Sequence, residues 1–339
     1  MIFVTGGTGL VGSRLLAQLV ADESNEIVAL KRKKSDLRWV NKVFFQHFSN
    51  PDLYLKRIQW VDGDILDYFF LEELIPAGVE VYHAAAKVSF QKKEAALVMQ
   101  TNVEGTHNLV NVCLKNKVRK LAYVSSIAAL GRGEVNHATT ENDFRTTSKG
   151  TSVYSASKYE AEMEVWRGIA EGLNAVIINP AVILGSGNWK KGSTELFNTV
   201  YKGLKFYTKG TNGYVSAEDV AKALILLMKS DISSERFILS QGNYSYQFLF
   251  DMIAKGLRVK VPNFYASPFL SEIAWRSLSF ISFFTRKQPL ITKETAHSAN
   301  AFYNYSSEKF LQKTEFEFMP IEETIAAVCK EYLRDHQKA

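Results

Sequence analysis

A tyrosine and a lysine four positions apart can share one helix face, and a nearby ammonium favours the phenolate over a phenol whose ordinary pKa is about 10. Such a pair can move a proton near neutral pH. The spacing Tyr-x-x-x-Lys occurs three times in this chain, at Tyr154/Lys158, Tyr201/Lys205 and Tyr305/Lys309. Only the first opens a long amphipathic stretch and follows a short apolar run ending in serines, "YVSS". The other two fall in a loose aromatic part of the sequence and are read as coincidence. Ser125 and Ser126 both qualify as a third member, a hydroxyl that would hold a substrate oxygen.

A second constellation sits at the N-terminus. "VTGGTGLVG" places Gly6, Gly9 and Gly12 between an apolar strand and the amphipathic "LVGSRLLAQLV". Gly6 permits a tight turn, Gly9 lets a pyrophosphate approach the backbone, and Gly12 lets helix and strand pack closely. The helix N-terminus then offers free N–H groups and a positive dipole end to phosphates, with Thr8 and Leu10 in the same turn. The implied ligand is a dinucleotide.

The elements that must carry these residues follow a simple alternation. Strands are expected at 2–6, 26–31, 58–64, 79–85, 120–126 and 174–183, with amphipathic segments at 11–21, 68–75, 96–116 and 155–172 between them. Strands separated by helices of this length imply right-handed βαβ units and a parallel sheet covered on both faces. The expected fold is α/β, a doubly wound parallel sheet of Rossmann type with a smaller, mostly helical C-terminal substrate lobe. Residues 1–183 and 214–240 would form the nucleotide-binding part, and 184–213 with 241–339 the lobe.

The 339 residues carry a net charge of +6, with 46% hydrophobic and 22% charged side chains, an ordinary globular balance. That charge is modest for a general polyanion binder, so no nucleic-acid partner is expected. Cys113 and Cys329, the two cysteines, lie in helix-like contexts and read as buried hydrophobes. No metal-ligand spacing is visible, and a reducing cytoplasmic setting fits. "FLSEIAWRSLSFISFF", residues 269–284, is interrupted by Glu272 and Arg276 and falls short of the roughly 20 apolar residues of a membrane span.

Further motifs recur in a familiar order: "DGDILD" (62–67), "YHAAA" (82–86), "TNVEGTHNLV" (101–110), "YVSSIAALG" (123–131), "YSASK" (154–158), "NPAVILG" (179–185) and "VSAEDVA" (215–221). With the Gly-x-x-Gly-x-x-Gly turn, the chain resembles the extended branch of the short-chain dehydrogenase/reductase superfamily, the NAD(P)-dependent epimerase/dehydratase group. "ALKR" and "NPAVILG" make it most similar to the dihydroflavonol reductase and 3β-hydroxysteroid dehydrogenase members. The resemblance covers about residues 1–240. It implies that Asp64 and Ile65 lie at the adenine, that Ala84 and Ala85 pass under the cofactor, and that Pro180 borders it. It gives Lys158 a second role on the nicotinamide ribose and makes Asn102 a helix-kinking residue that supports the lysine. Counting back from Gly131 selects Ser126 over Ser125. His83 becomes a strand-end residue near the cofactor, not a base, and His137 is expected to be exposed. A homodimer paired through 96–116 and 155–172 is also implied.

The run "ALKRKKSDLR" (29–38) then acquires a meaning. A carboxylate at the end of the second strand would select NAD; here Lys31 and Arg32 stand there, and a guanidinium can hold a 2′-phosphate bidentately. The expected cofactor is therefore NADP (NADPH) in preference to NAD, with Arg32 first and Lys31 or Lys33 assisting, while Lys34 and Arg38 face solvent. The expected reaction is hydride transfer between nicotinamide and a carbonyl or alcohol of a small molecule, with Tyr154 as general acid/base. One rival is a nucleotide-sugar epimerase or dehydratase with bound NAD. Dehydratases of this branch carry Thr-Asp-Glu where this chain has Ser126, Ile127 and Ala128. The other rival is a non-enzymatic NADP sensor, which would usually lose the Tyr–Lys pair. The rings of 263–285 are expected to be core for the most part, or else the wall of a hydrophobic substrate pocket.

Overall fold

The computed structural model describes residues 1–131, 137–145, 151–285 and 298–337. Short runs of Val, Ile and Leu form its centre. β1 (Ile2–Thr5) is buried at every position and pairs in parallel with β2 (Ile27–Lys31) on one side and β4 (Glu80–His83) on the other. β3 (Ile58–Asp62), β5 (Lys120–Val124), β6 (Ala175–Pro180) and β10 (Glu235–Leu239) complete a seven-stranded sheet of order β10-β6-β5-β4-β1-β2-β3. Strands with two buried faces read as continuous apolar runs, which is how these sequences read.

The crossovers are helical, and they cover both faces. α1 (Leu10–Val20), α2 (Arg38–His47) and α3 (Pro51–Leu55) lie on one side with α9 (Ala217–Lys229). α4 (Tyr68–Leu74), α5 (Ala95–Met99), α6 (Gly105–Lys115) and α7 (Val153–Ala170) cover the other. Leu15, Leu16, Phe44 and Leu224 pack the first face, and Leu71, Leu109, Val112 and Val165 the second. Each such fully buried side chain contributes roughly 1.5–3 kcal/mol. Because the strand order reverses between β1 and β4, a crevice opens outside their C-terminal ends, the place where open α/β sheets bind ligands.

The expected strand at 174–183 is in fact two. β6 ends at Pro180, and the Ala181 N–H is held by Leu239 O at 2.9 Å. β7 (Val182–Leu184) then joins a separate three-stranded sheet with β9 (Thr211–Ser216) and β11 (Gly242–Ser245). An unbroken apolar run gives no sign of such a sheet change. α8 (Glu195–Tyr201), α10 (Tyr246–Leu257) and the helix Ile321–Gln337 surround that sheet, with Trp189, Phe197, Tyr214, Ile253 and Tyr332 as their shared core. Among the described residues β8 (Phe206–Tyr207) pairs only with β12 (Phe264–Tyr265), and α11 (Pro268–Thr285) follows. Among the described residues no helix is long and apolar enough to cross a membrane.

Candidate active site

The glycine turn closes at the head of that crevice. Gly6 has φ +73°, and a Cβ there would lie 2.4 Å from the Ala84 carbonyl carbon, so Ala84 and Ala85 form its floor. A Cβ on Gly12 would meet Gly6 O at 2.1 Å. At Gly9 the only near neighbour would be Gly6 O at 3.2 Å, which leaves the outer side open. α4, α7, α9 and α10 are each capped by an Asp or Ser side chain. α1 begins at Gly9 with no side-chain cap and no acidic residue in its first turn. Caps usually contribute about 1 kcal/mol, so an uncapped N-terminus on the buried central helix suits a ligand's phosphates. The residues present therefore fit a dinucleotide.

Beside it, the basic run divides. Lys31 is ion-paired with Asp62, its register partner on β3. Lys31, expected to assist with a phosphate, thus already has a carboxylate at its ammonium, which leaves Arg32 the freer cation of the two. Arg38 is exposed and held by Asp36 at 2.7 Å. Lys33 and Lys34 are exposed. Arg32 is exposed just past β2, and among the described residues its guanidinium has no ion-pair partner. Asp64 lies in the next loop, exposed, with its carboxylate accepting from Leu66 N at 3.1 Å. Ile65 is buried against Gly105.

The chemical corner lies at the end of β5. Ser152 caps α7, its Oγ accepting from Ser155 N at 3.1 Å, and so fixes where the helix carrying Tyr154 and Lys158 begins. The two serines part company. Ser125 is buried and donates to Glu162 at 2.6 Å, whereas Ser126 Oγ accepts from Ala128 N at 3.1 Å, in the turn that Ser155 Oγ ties to the start of α7 through Ala128 O at 2.7 Å. The Tyr154 ring meets Phe90 edge-on, centroids 5.5 Å apart. Burial pushes the Tyr154 phenol above its ordinary range, and Ser126 opposes the shift.

Lys158 departs from expectation. Its ammonium donates to Tyr123 Oη at 2.9 Å and Val124 O at 2.8 Å, and lies 4.6 Å from the centre of the Tyr123 ring. It does not lower the Tyr154 pKa in this arrangement; instead its own is lowered to about 7 by burial, with Glu162 pulling the other way. The Tyr123 ring lies 5.3 Å from that of His83, whose Nε2 meets Thr106 Oγ1 at 3.0 Å and whose Nδ1 meets Thr5 Oγ1 at 2.7 Å. Buried polar groups in ring contact and hydrogen bond thus run from the lysine to the residue before Gly6. His83 is held neutral, its pKa lowered to about 3 by burial and the nearby Lys158 charge.

Asn102 sits in a π-turn over Gln100–Glu104, a helix irregularity of the sort expected. Its amide does not reach Lys158. It accepts from Lys87 N at 2.7 Å and donates to Lys87 O and Ser157 Oγ, so it pins the loop after β4 to α7.

Two buried ion pairs escaped sequence reasoning. Glu162 receives Ser125, Asn179, Trp166 and Arg236, the last at 2.9 Å, while Arg236 also donates to Glu141 O. Arg14 bonds Ser186 and pairs with Glu218 at 3.0 Å, tying α1 to α9. Glu162 stands four residues after Lys158 on the same stripe of α7, the one signal that could have marked it. Arg14, a cation inside an apolar helix, offered a similar hint.

The other expectations resolve quickly. Tyr201 packs on Tyr332, and Lys309 bonds Arg236 O, so neither spare Tyr–Lys pair approaches the corner. His137 is exposed. Of the rings in 263–285, Phe264, Tyr265 and Phe269 are exposed, so these three are not the core they were expected to join, while Trp275 is half-buried. Phe280, Phe283 and Phe284 lie outside the described side chains, as do residues 132–136 and 146–150 of the loop before α7.

Comparison with known proteins gives a consistent answer. The sequence pattern described as the NAD dependent epimerase/dehydratase family matches residues 2–239. A Synechocystis sp. protein named "Putative dihydroflavonol 4-reductase" is 28% identical over 252 residues, 72% of this chain and 69% of its own length. Sterol demethylase protein B of Methylococcus capsulatus is 25% identical over 242 residues, 70% and 68% of the two chains. The crystal structure of gox2253 superimposes with a TM-score of 0.80 at 25% identity, covering 99% of this chain and 98% of that one.

Proposed function

The chain belongs to the NAD-dependent epimerase/dehydratase family, an extended short-chain dehydrogenase/reductase that binds NAD(P), and from that premise we propose that it is an NADP-dependent reductase of a hydrophobic carbonyl compound, or the dehydrogenase of the matching alcohol. The observation that carries the reading is that Tyr154, in the first turn of α7, is fastened beside the Ser126 turn at the end of β5 by the Ser155–Ala128 bond of 2.7 Å, with Arg32, which has no ion-pair partner among the described residues, at the end of β2.

Gly6, Gly9, Gly12 and the turn residues Thr8 and Leu10 would hold the pyrophosphate, and Arg32 the 2′-phosphate. Asp64 and Ile65 would border the adenine, Ala84, Ala85 and Pro180 the nicotinamide half. Bound NADP would supply or take up the hydride. Ser126 donates to the substrate oxygen and aims it at Tyr154. Tyr154 gives that oxygen its proton in the reducing direction and recovers it in the other. Lys158 holds the polar floor by donating to Tyr123 Oη and Val124 O, and would donate to the nicotinamide ribose of the bound cofactor. Asn102 holds Lys87 and Ser157, so the wall bearing Phe90 keeps its place over Tyr154.

Ile127 and Ala128 follow Ser126, where water elimination would need carboxylates, and β2 ends in cations, where a retained NAD would be served by an acid. Relatives named for a dihydroflavonol and a sterol support an apolar substrate. The test is kcat/KM with NADPH along carbonyls of increasing apolar size. Each added methylene should raise it by roughly 1 kcal/mol of transition-state binding, about fivefold, until the pocket fills. A flat series, or turnover of nucleotide sugars alone, would overturn the reading.

A further inference from the structure

The C-terminal lobe turns an apolar ribbon outward. β8 and β12 set Phe206 beside Phe264 and Tyr207 beside Tyr265, ring centroids 5.8 and 5.9 Å apart. Phe206 is 49% exposed and Phe264 54%. Three residues after β12, α11 begins at Pro268, and its first turns present Phe269, 75% exposed, with Leu270 and Ile273. Single exposed apolar side chains are ordinary on a protein surface. A run of them along one ribbon and the helix that continues it marks a contact surface.

The charge around this run is one-sided. Residues 196–217 hold Lys202, Lys205 and Lys209 and no carboxylate; residues 252–271 hold Lys255, Arg258 and Lys260 and again none. All six are exposed, and among the described residues none has an ion-pair partner. Lys209 lies over the Tyr265 ring at 4.9 Å. The acids that bound these stretches are Glu195, Glu218, Asp251 and Glu272; Glu218 is already paired with Arg14 and Glu272 with Arg276 at 2.6 Å.

We propose that this face docks on the surface of an anionic lipid bilayer, with the rings of the ribbon and Phe269 of α11 in the interfacial layer and the lysines at the lipid phosphates. Aromatic rings beside long cationic side chains suit a bilayer interface, where the stems lie along apolar surface and the charges reach headgroups. Lysine is depleted in protein–protein interfaces, and a second copy meeting this face symmetrically would bring like charges together. The attachment is peripheral, since no described helix can span the membrane. It holds whatever the chain's substrate proves to be.

The experiment is sedimentation of the full chain with vesicles of phosphatidylcholine alone and of phosphatidylcholine with equal phosphatidylglycerol. Binding to the mixed vesicles should be at least about tenfold stronger and should weaken steeply as salt rises. The double variant Phe264→Glu, Phe269→Glu should lose it, and Lys205→Glu with Lys260→Glu should reduce it about tenfold. Unchanged thermal unfolding of these surface variants shows that the fold is intact. Equal binding to both vesicle types, or to neither, by the unsubstituted protein overturns the proposal. So does a concentration-dependent dimer that Phe269→Glu dissociates while vesicles bind nothing, which would assign the face to a second copy.

Discussion

The glycine turn and the corner at Ser126 and Tyr154 face each other across one crevice, yet they are made in different ways. The turn is backbone: Gly9 N bonds Gly6 O at 2.9 Å, and its main long-range support is Ala84 beneath Gly6. The corner is side chain. Ser125 reaches across 37 positions to Glu162, Arg236 across 74 to the same carboxylate, and Ile238 N across 97 to Glu141. A backbone cradle needs only local conformations that glycine permits. A side-chain corner needs its ionic supports desolvated and fully paired, because each buried ion costs several kcal/mol that only good partners offset. Lys158 on Tyr123, the Tyr123 ring beside His83, and His83 between Thr106 and Thr5 join the two regions.

If the regions divide chemistry from cofactor binding, removing one hydroxyl should separate them most clearly. Tyr154→Phe keeps the ring against Phe90 and removes the proton donor; kcat should fall about a thousandfold, while the Kd for NADPH changes less than about twofold. A Tyr154→Phe enzyme with wild-type turnover would refute the assignment. Equal loss in both constants would erase the division.

The corner's dependence on distant charge is probed by Glu162→Gln. Arg236 would then lie buried without a counter-ion, and stability should drop by about 3–5 kcal/mol, read as a fall of the melting temperature by about 5–15 °C. Cofactor binding by the protein that remains folded should survive. A melting temperature within a degree of wild type would show that the pair is dispensable.

On the cofactor side the expected effect is smaller. Arg32→Asp should cost NADPH about 1.5–3 kcal/mol of binding, at least tenfold in Kd, and leave NADH nearly unchanged. Indifference of both cofactors to this change would remove Arg32 as the selector.

The link between the regions is addressed by pH. His83 is neutral in the fold, with its pKa lowered to about 3 from 6.5. The unfolded chain takes up the proton first as the solution is acidified. His83's contribution is therefore complete above pH 6.5 and is lost as pH falls towards 3, at about 1.4 kcal/mol per pH unit. Denaturation midpoints measured between pH 7 and 5 should show that slope, and His83→Gln should flatten it. An identical slope in the variant would place the acid sensitivity elsewhere.

Legibility in the sequence follows the same division. The glycine spacing, the alternation of apolar runs with amphipathic helices and the place of "YSASK" after "YVSS" are local patterns, and the turn, the parallel sheet and the start of α7 stand where those patterns put them. The break at Ala181 and the partner strand β10 were invisible, since a continuous apolar run says nothing about which sheet each half joins. For the rings of 263–285, composition pointed inward while the fold turned Phe264, Tyr265 and Phe269 out.

What the sequence determined by itself is therefore the backbone frame: where the chain may turn, where a helix begins, and that Tyr154 and Lys158 share one face. Only the tertiary structure decided that Ser125 serves Glu162, that Lys31 is taken by Asp62 and Arg32 is not, and that Lys158 rests on Tyr123. The reason is physical. Glycine turns and helical periodicity are set by dihedral preferences over a few residues, whereas a charge's partner is set by which strands the sheet brings side by side, and the energy of that choice depends on burial that no local window contains.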